Sequence, residues 1–596
     1  MSDLDIQALK TAARRGSLED LIELAAFVRD SRQPHPELLS VFYHHLEAGK
    51  IPHPTRPKPN TLRAVELAHK SLGCILFWAH EHASKDEGFI SDLKESWPLL
   101  WKWCHFFFEQ ALPDSSMLKT ISLEGMHDTY VICMRLVSCM ASIHKELHQI
   151  ICATTGLITM VTKLWLQEVK VGKEHLDFHA STVLYRFTKH PITGTAAHWL
   201  SVIVDAAGGD YKTTASISLQ RILLILEKPF RSAPNYFALE ADILIATSFV
   251  SAGSDTFRAA LLDQQSTKIL TKTMYRLALS TQSGELTSQI VSCLRLCAMY
   301  LRFFTGLVTY RNVFVLEAMD AQLIPALLGS SRWFSHDNLT GSEGSLQTYC
   351  CDLMSGILPH YLVYRSVLRT VSRSLKKIKA LDLEAQVSRE SPLWKLWVQF
   401  RGIATERLMI KSAVKSSPIA SCDNPGCLKV DETEEFMRCA GCSAVFYCSK
   451  ECQKHAWKHA NHRKECKDTQ SRRLQNIPEP LSKRDTEFLT NLVIYDWKKH
   501  QKRIRQLKQE YLVSHPSADR STLVVRFDYT TIPSVIIVGA PEVFQTIDYD
   551  INEAVRAHFD ESVAIAKESG GHIVLAHAQV IQGEPDIMHF VDPEID

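Results

Sequence analysis

Seven of the chain's 16 cysteines fall between Cys422 and Cys466, in the order C-x4-C, C-x2-C and C-x3-C, and an H-x3-C step closes the run. Cys422, Cys427, Cys439, Cys442, Cys448, Cys452, His462 and Cys466 offer seven thiolates and one imidazole. That is the donor set of two tetrahedral Zn2+ sites, with no position left for water or substrate. Sites closed in this way hold structure together and rarely catalyse. The segment also needs such a staple. About 45 residues bury too little apolar surface to fold alone, whereas structural zinc supplies apparent binding free energy of about 10–16 kcal/mol per site. Two structural Zn2+ ions are therefore the expected cofactors.

The elements that must aim these donors are legible nearby. Cys439-Ala440-Gly441-Cys442 is a tight knuckle turn, in which Gly441 is expected to tolerate a backbone geometry other residues resist. Ser449 is a good helix N-cap, which places Cys448 just before a helix and Cys452 in its first turn. His462 and Cys466 are four positions apart and share a helix face. His455 and His459 are rivals for the histidine position, but His462 alone keeps the H-x3-C step.

The two first pairs, then Phe446-Tyr447-Cys448-Ser449-Lys450-Glu451-Cys452-Gln453, Trp457 and His462-Arg463-Lys464-Glu465-Cys466, closely resemble the MYND-type zinc finger. The resemblance implies interleaved sites: Cys422, Cys427, Cys448 and Cys452 on one zinc, Cys439, Cys442, His462 and Cys466 on the other. It also implies a protein-interaction module, in some members docking proline-rich peptides in a groove that Gln453 and Trp457 help to line. Two departures stand out. Nine residues separate Cys452 from His462 where members usually have seven, and Ala440 lacks the hydrogen-bonding side chain often found between the second pair of cysteines.

The finger is a small part of a chain of 596 residues, 45% of them hydrophobic, enough for several domains. Residues 1–410 read as helix after helix, with apolar residues at three- and four-residue steps over 62–80, 126–143, 216–226, 286–304 and 394–409. Proline and glycine breaks, including a proline-rich run over 51–60, punctuate them. A mainly α fold is expected: a large helical array, armadillo- or HEAT-like or irregular, forming a scaffold domain. Polar linkers at 411–421 and 467–483 flank the finger (422–466), followed by a basic helix (484–513) and a small α/β domain (514–596). In the last, β-rich runs at 522–529, 534–538 and 571–581 surround an amphipathic helix at 551–567.

Charge argues against nucleic acid as the partner. Lys+Arg 67 against Asp+Glu 66 leaves +1 overall, so no global field draws the chain to phosphate or anionic lipid. Within the finger seven Lys/Arg and seven Asp/Glu cancel, and two Zn2+ against seven thiolates leave a net charge of about −3. The basic stretch over 497–508 is the one candidate nucleic-acid contact, and more often such a run is a solvated helix face. No stretch has the roughly 20 consecutive apolar residues of a membrane span. The opening residues carry acidic groups and no signal-length apolar core. The other nine cysteines sit singly in apolar sequence, as in a reducing compartment, so cytoplasm or nucleus is expected. An enzyme is not. Some MYND-type fingers sit inside SET-domain lysine methyltransferases, but here about 420 helical residues precede the finger, and 522–596 is too short to complete such a domain.

Overall fold

A computed structural model of the chain describes residues 3–30, 35–53, 61–82, 87–110, 123–170, 179–189, 196–227, 235–252, 255–280, 284, 286–307, 312–339, 344–413, 419–424, 427, 429–432, 436–442, 445–460, 462–474, 483–548, 553–570, 572–581 and 586–591. Much of the expected punctuation, including Pro54, Pro57, Pro59, Pro191, Pro229 and Pro234, lies outside the described residues. The chain divides into two compact units, Met1–Gln264 and Gln265–Asp596.

The first unit is helical throughout its described residues. The apolar segments identified in the sequence become the helices Thr61–His82, Leu123–Ile143 and Tyr211–Glu227. Leu18–Asp30, Thr61–His82, Leu123–Ile143, His179–Lys189 and Tyr236–Ala252 pack each on the next, and the intervening helices lie against this stack. Tyr236–Ala252 carries apolar residues on several sides because neighbours cover it there: Ala238, Leu239, Ile243, Ile245, Ala246 and Val250 are all buried.

Of the two carboxylates in that helix, Glu240 and Asp242, the buried Asp242 sets up the unit's most demanding interaction. Asp242 is buried and accepts from Arg221 Nε at 3.0 Å and from Ser181 Oγ at 2.6 Å. Arg221, fully buried, also donates to Glu168 Oε2 at 2.8 Å and to the carbonyl of Trp165 at 2.8 Å. Its guanidinium lies 5.3 Å from the Trp165 ring centroid. Four helices thereby share one buried cation. Such a network is expensive to break, since a lost partner leaves an uncompensated charge in the core.

The second unit begins with the helices Ser266–Ala278, Thr287–Leu307, Leu323–Ser330, Arg365–Ala380 and Pro392–Ala413. The finger follows, then the long helix Lys483–Ser514 and a four-stranded sheet. The finger holds two short antiparallel pairs, β1 (Ile419–Ser421) with β2 (Val430–Glu432) and β3 (Met437–Arg438) with β4 (Phe446–Tyr447). β5 (Val524–Asp528), β6 (Val535–Gly539), β7 (Ile573–Gln579) and β8 (Asp586–Val591) form the C-terminal sheet in the order β6-β5-β7-β8. β5 and β7 are parallel, and both outer pairings are antiparallel. β5 is buried along nearly its whole length, Val524 to Phe527, because both its faces are covered. Val524 packs with Phe544, Phe559 and Leu575 beneath the helices Pro541–Asp548 and Glu553–Glu568. On the opposite face Phe527 meets Trp497, and Tyr529 donates to Asp496 at 2.8 Å, both partners on the long helix.

Three features differ from the sequence expectation. β1 occupies the end of the expected linker 411–421, its Ile419–Ser421 pairing with Val430–Glu432 as part of the finger. The helix bearing His462 and Cys466 runs on to Leu474, into the expected linker 467–483. Its residues are polar yet hold no breaker before Pro478, so polarity there marked a largely exposed helix and not a loop. β8 was not expected at all. Among the described residues no single helix is long and apolar enough to cross a membrane.

The buried triad yields a direct test. Arg221→Ala is expected to destabilise the first unit by about 3–5 kcal/mol, seen as lost hydrogen-exchange protection of the Tyr211–Glu227 amides. A loss under about 1 kcal/mol would show that Asp242 and Glu168 find other partners at little cost.

Candidate metal centre

The finger's backbone aims its donors through a small set of bonds. In the first knuckle Cys422 N–H donates to the Lys429 carbonyl at 3.1 Å and Cys427 N–H to the Asn424 carbonyl at 2.8 Å. Asp423 clamps this knuckle to β4: its N–H donates to the Phe446 carbonyl at 2.9 Å and its carboxylate accepts from Phe446 N–H at 2.6 Å. β4 leads directly to Cys448. Ser449 then caps the helix Lys450–His459, accepting from Cys452 N–H at 3.2 Å, which sets Cys448 and Cys452 on one side. Phe436, Tyr447 and Ala456 supply a small buried core among the cysteines.

The second knuckle follows β3, with Cys439 N–H donating to the Val445 carbonyl at 3.0 Å. Gly441 is required here for a different reason from the one its sequence suggested. It is absent from the residues with positive φ, but a Cβ at this position would stand 2.8 Å from Cys466 Sγ and 3.0 Å from Gln470 Nε2. Space, and not backbone conformation, excludes a side chain.

The donor atoms converge as two quartets, Cys422, Cys427, Cys448 and Cys452 in one, Cys439, Cys442, His462 and Cys466 in the other. Within each, the ligand atoms all lie within 4.8 Å of one another. Zn–S bonds of about 2.3 Å in a tetrahedron place sulfurs about 3.8 Å apart. Cys427 and Cys448 sulfurs stand 3.7 Å apart, and those of Cys448 and Cys452 3.5 Å. His462 Nε2 lies 3.8 Å from Cys442 Sγ and 3.4 Å from Cys439 Sγ. Both clusters fit zinc. The pairing is the interleaved one, so β4 and the two finger helices each serve a site begun earlier in the chain.

The protonation balance shows why a cation belongs there. A hydrogen bond with Cys442 and one with His462 hold the Cys439 thiol down to about 3 against the effect of burial, while burial pushes its neighbour Cys466 up. In the other cluster a hydrogen bond with Asn424 helps to lower Cys452 to about 7, and one with Cys452 pushes Cys448 up to about 12. One thiol deprotonates readily in each cluster at the expense of another. A dication removes this competition by binding all of them as thiolates.

The rival histidines stand apart from both quartets. His455 Nδ1 lies 3.0 Å from Asn424 Oδ1, and the His455 and His459 rings lie tilted against each other with centroids 5.0 Å apart. His462 is buried, with Tyr447 and Trp457 approaching its ring at 5.7 and 5.6 Å. Asn424 had not been singled out, yet it is buried and touches both Cys452 and His455. Its place inside the knuckle Cys422-Asp423-Asn424 was the available signal, since asparagine favours tight turns.

The sequence model of the family described as MYND finger matches residues 421–466. Residues 421–466 are a MYND finger. No curated protein and no solved structure matches the chain.

Beside the second quartet of the MYND finger lies a cavity of about 330 Å³ whose lining includes Ala440, Gly441, Gln453, Trp457 and Gln470. Trp457 is 37% exposed although it packs on His462. Gln470, from the helix extension past Cys466, joins the groove without any sequence cue. Three cations of the basic stretch are engaged within the second unit: Lys499 pairs with Glu406 at 2.5 Å, Arg503 with Glu510 at 3.6 Å, and Lys508 Nζ sits 5.1 Å from the Trp497 ring centroid.

Metal analysis of the purified chain is expected to give about two zinc equivalents, and about one in Cys439→Ser. Asn424→Ala is expected to keep both metals but weaken the four-cysteine site by about 10–100-fold in chelator competition. An unchanged affinity would show that the Asn424 contact is incidental.

Proposed function

We propose that this chain is a non-enzymatic intracellular scaffold whose MYND finger, closed by two structural Zn2+ ions on the eight donors above, docks partner proteins. The helical units carry the finger, and a proline-rich segment is the preferred occupant of its groove. The observation that carries this reading is Trp457. A large aromatic side chain locked edge-on against a metal-ligand ring, yet left 37% exposed at the mouth of a cavity, loses little conformational entropy on contacting a peptide. Gln453, half-buried on the same helix one turn earlier, supplies a hydrogen-bonding group beside it. Proline rings stack well on such aromatics, and a polyproline segment enters already extended. Fully ligated metals leave no open coordination position for substrate, which favours binding over catalysis.

The test uses a labelled proline-rich peptide and the zinc-loaded full-length chain. Trp457→Ala is expected to weaken binding by about tenfold or more with the zinc content still two. Unchanged peptide affinity contradicts the docking role, and loss of one zinc assigns Trp457 to the metal site instead.

A further inference from the structure

A second cavity, of about 620 Å³, opens on the other side of Trp457 and is lined by Trp457, Lys458, His459, Arg463, Lys464 and Lys467. Trp457 and Lys458 border both cavities, so the two form one continuous surface. Four permanent cations from two helices, Lys450–His459 and His462–Leu474, surround this basin, and all four are exposed. Among the described residues no carboxylate lines it.

Two physical considerations say this clustering is not neutral for the finger itself. Arg463 and Lys467 are spaced i,i+4 and Lys464 and Lys467 i,i+3 on one helix, where like charges oppose helix formation. Nor does the adjacent metal site balance them: three thiolates and one Zn2+ carry only −1, against four cations at the basin. Although residues 422–466 are net anionic, three of their seven cations, Lys458, Arg463 and Lys464, stand at this one face together with Lys467 just beyond them.

We infer that the basin reads an acidic flank, carboxylate or phosphorylated side chains, next to the proline-rich segment docked on Trp457. This rests on the proposed groove and adds its selectivity. Carboxylate or phosphate oxygens leaving the groove past Trp457 meet lysine and arginine donors at once, a charge complementarity that raises association rate and discriminates against basic flanks.

The experiment compares labelled peptides sharing one proline-rich core, flanked at either end by three neutral, three glutamate, three phosphoserine or three lysine residues, on the full-length zinc-loaded chain. The glutamate or phosphoserine peptide is expected to bind about tenfold more tightly than the neutral one in low salt, and the advantage to vanish near 0.5 M salt. In the Lys464→Gln/Lys467→Gln double variant, with zinc content checked, the acidic peptide should fall towards the neutral one. The phosphoserine and glutamate arms separate a phosphorylated partner from a constitutively acidic one. Equal affinity of neutral and acidic peptides overturns this inference while leaving the groove intact. Binding by none of them overturns both. A random DNA duplex that displaces the acidic peptide and binds more tightly reassigns the basin to nucleic acid.

Discussion

Seven thiol groups gathered into two clusters a few ångströms wide are stable together only when a cation neutralises them. Within the four-cysteine cluster, hydrogen bonds shift the Cys452 thiol down and the Cys448 thiol up, so these neighbouring sulfurs compete for protons. With metal, the same eight donors become the strongest constraint in the segment, and its other features follow from them. The short strands β1 to β4, the Asp423 clamp and the Ser449 cap are too slight to fold 45 residues by themselves. They aim donors, and metal ligation supplies the driving force. Interleaving matters here, because each metal joins chain segments distant in sequence and neither half of the finger can be released alone.

The finger is joined to its unit by more than chain continuity. Arg484, at the start of the long helix, places its guanidinium 4.4 Å from the Phe446 ring centroid on β4. The next residue, Asp485, is buried and accepts from Arg365 N–H at 2.8 Å, capping the helix Arg365–Ala380 from outside. Two adjacent residues thus hold a finger strand and a helix N-terminus. The same helix reaches the C-terminal sheet through Asp496 and Trp497, before its backbone kinks at His500, so finger, helices and sheet all contact its first part.

Much of this was legible in the sequence, for identifiable reasons. Metal ligands demand particular residue types at particular spacings, so Cys422 to Cys466 announced themselves, and the H-x3-C step singled out His462 over His455 and His459. Helix periodicity likewise marked segments such as 216–226, the apolar part of the helix Tyr211–Glu227, whose apolar residues face neighbouring helices. What stayed hidden depended on tertiary contact. Arg221, Glu168 and Asp242 are far apart in the chain and look like ordinary surface residues until burial joins them. Asn424 and Gln470 act through a few ångströms of side-chain reach that spacing does not encode. Gly441 was recognised as necessary, but its reason, the approach of Cys466 and Gln470, is a property of packing. The helix through Leu474 was obscured because polar composition suits a linker and an exposed helix equally well.

The claim on which the rest depends is that seven sulfurs and one imidazole nitrogen close two metal sites completely. X-ray absorption at the zinc edge of the loaded full-length chain reads this first shell directly. The account predicts, averaged over both metals, about 3.5 sulfur neighbours at about 2.3 Å and about 0.5 nitrogen at about 2.0–2.1 Å, with no water ligand. A shell of about 3.5 sulfurs with no nitrogen neighbour would remove His462 from the site, and a persistent oxygen neighbour would show an open coordination position and contradict a purely structural centre.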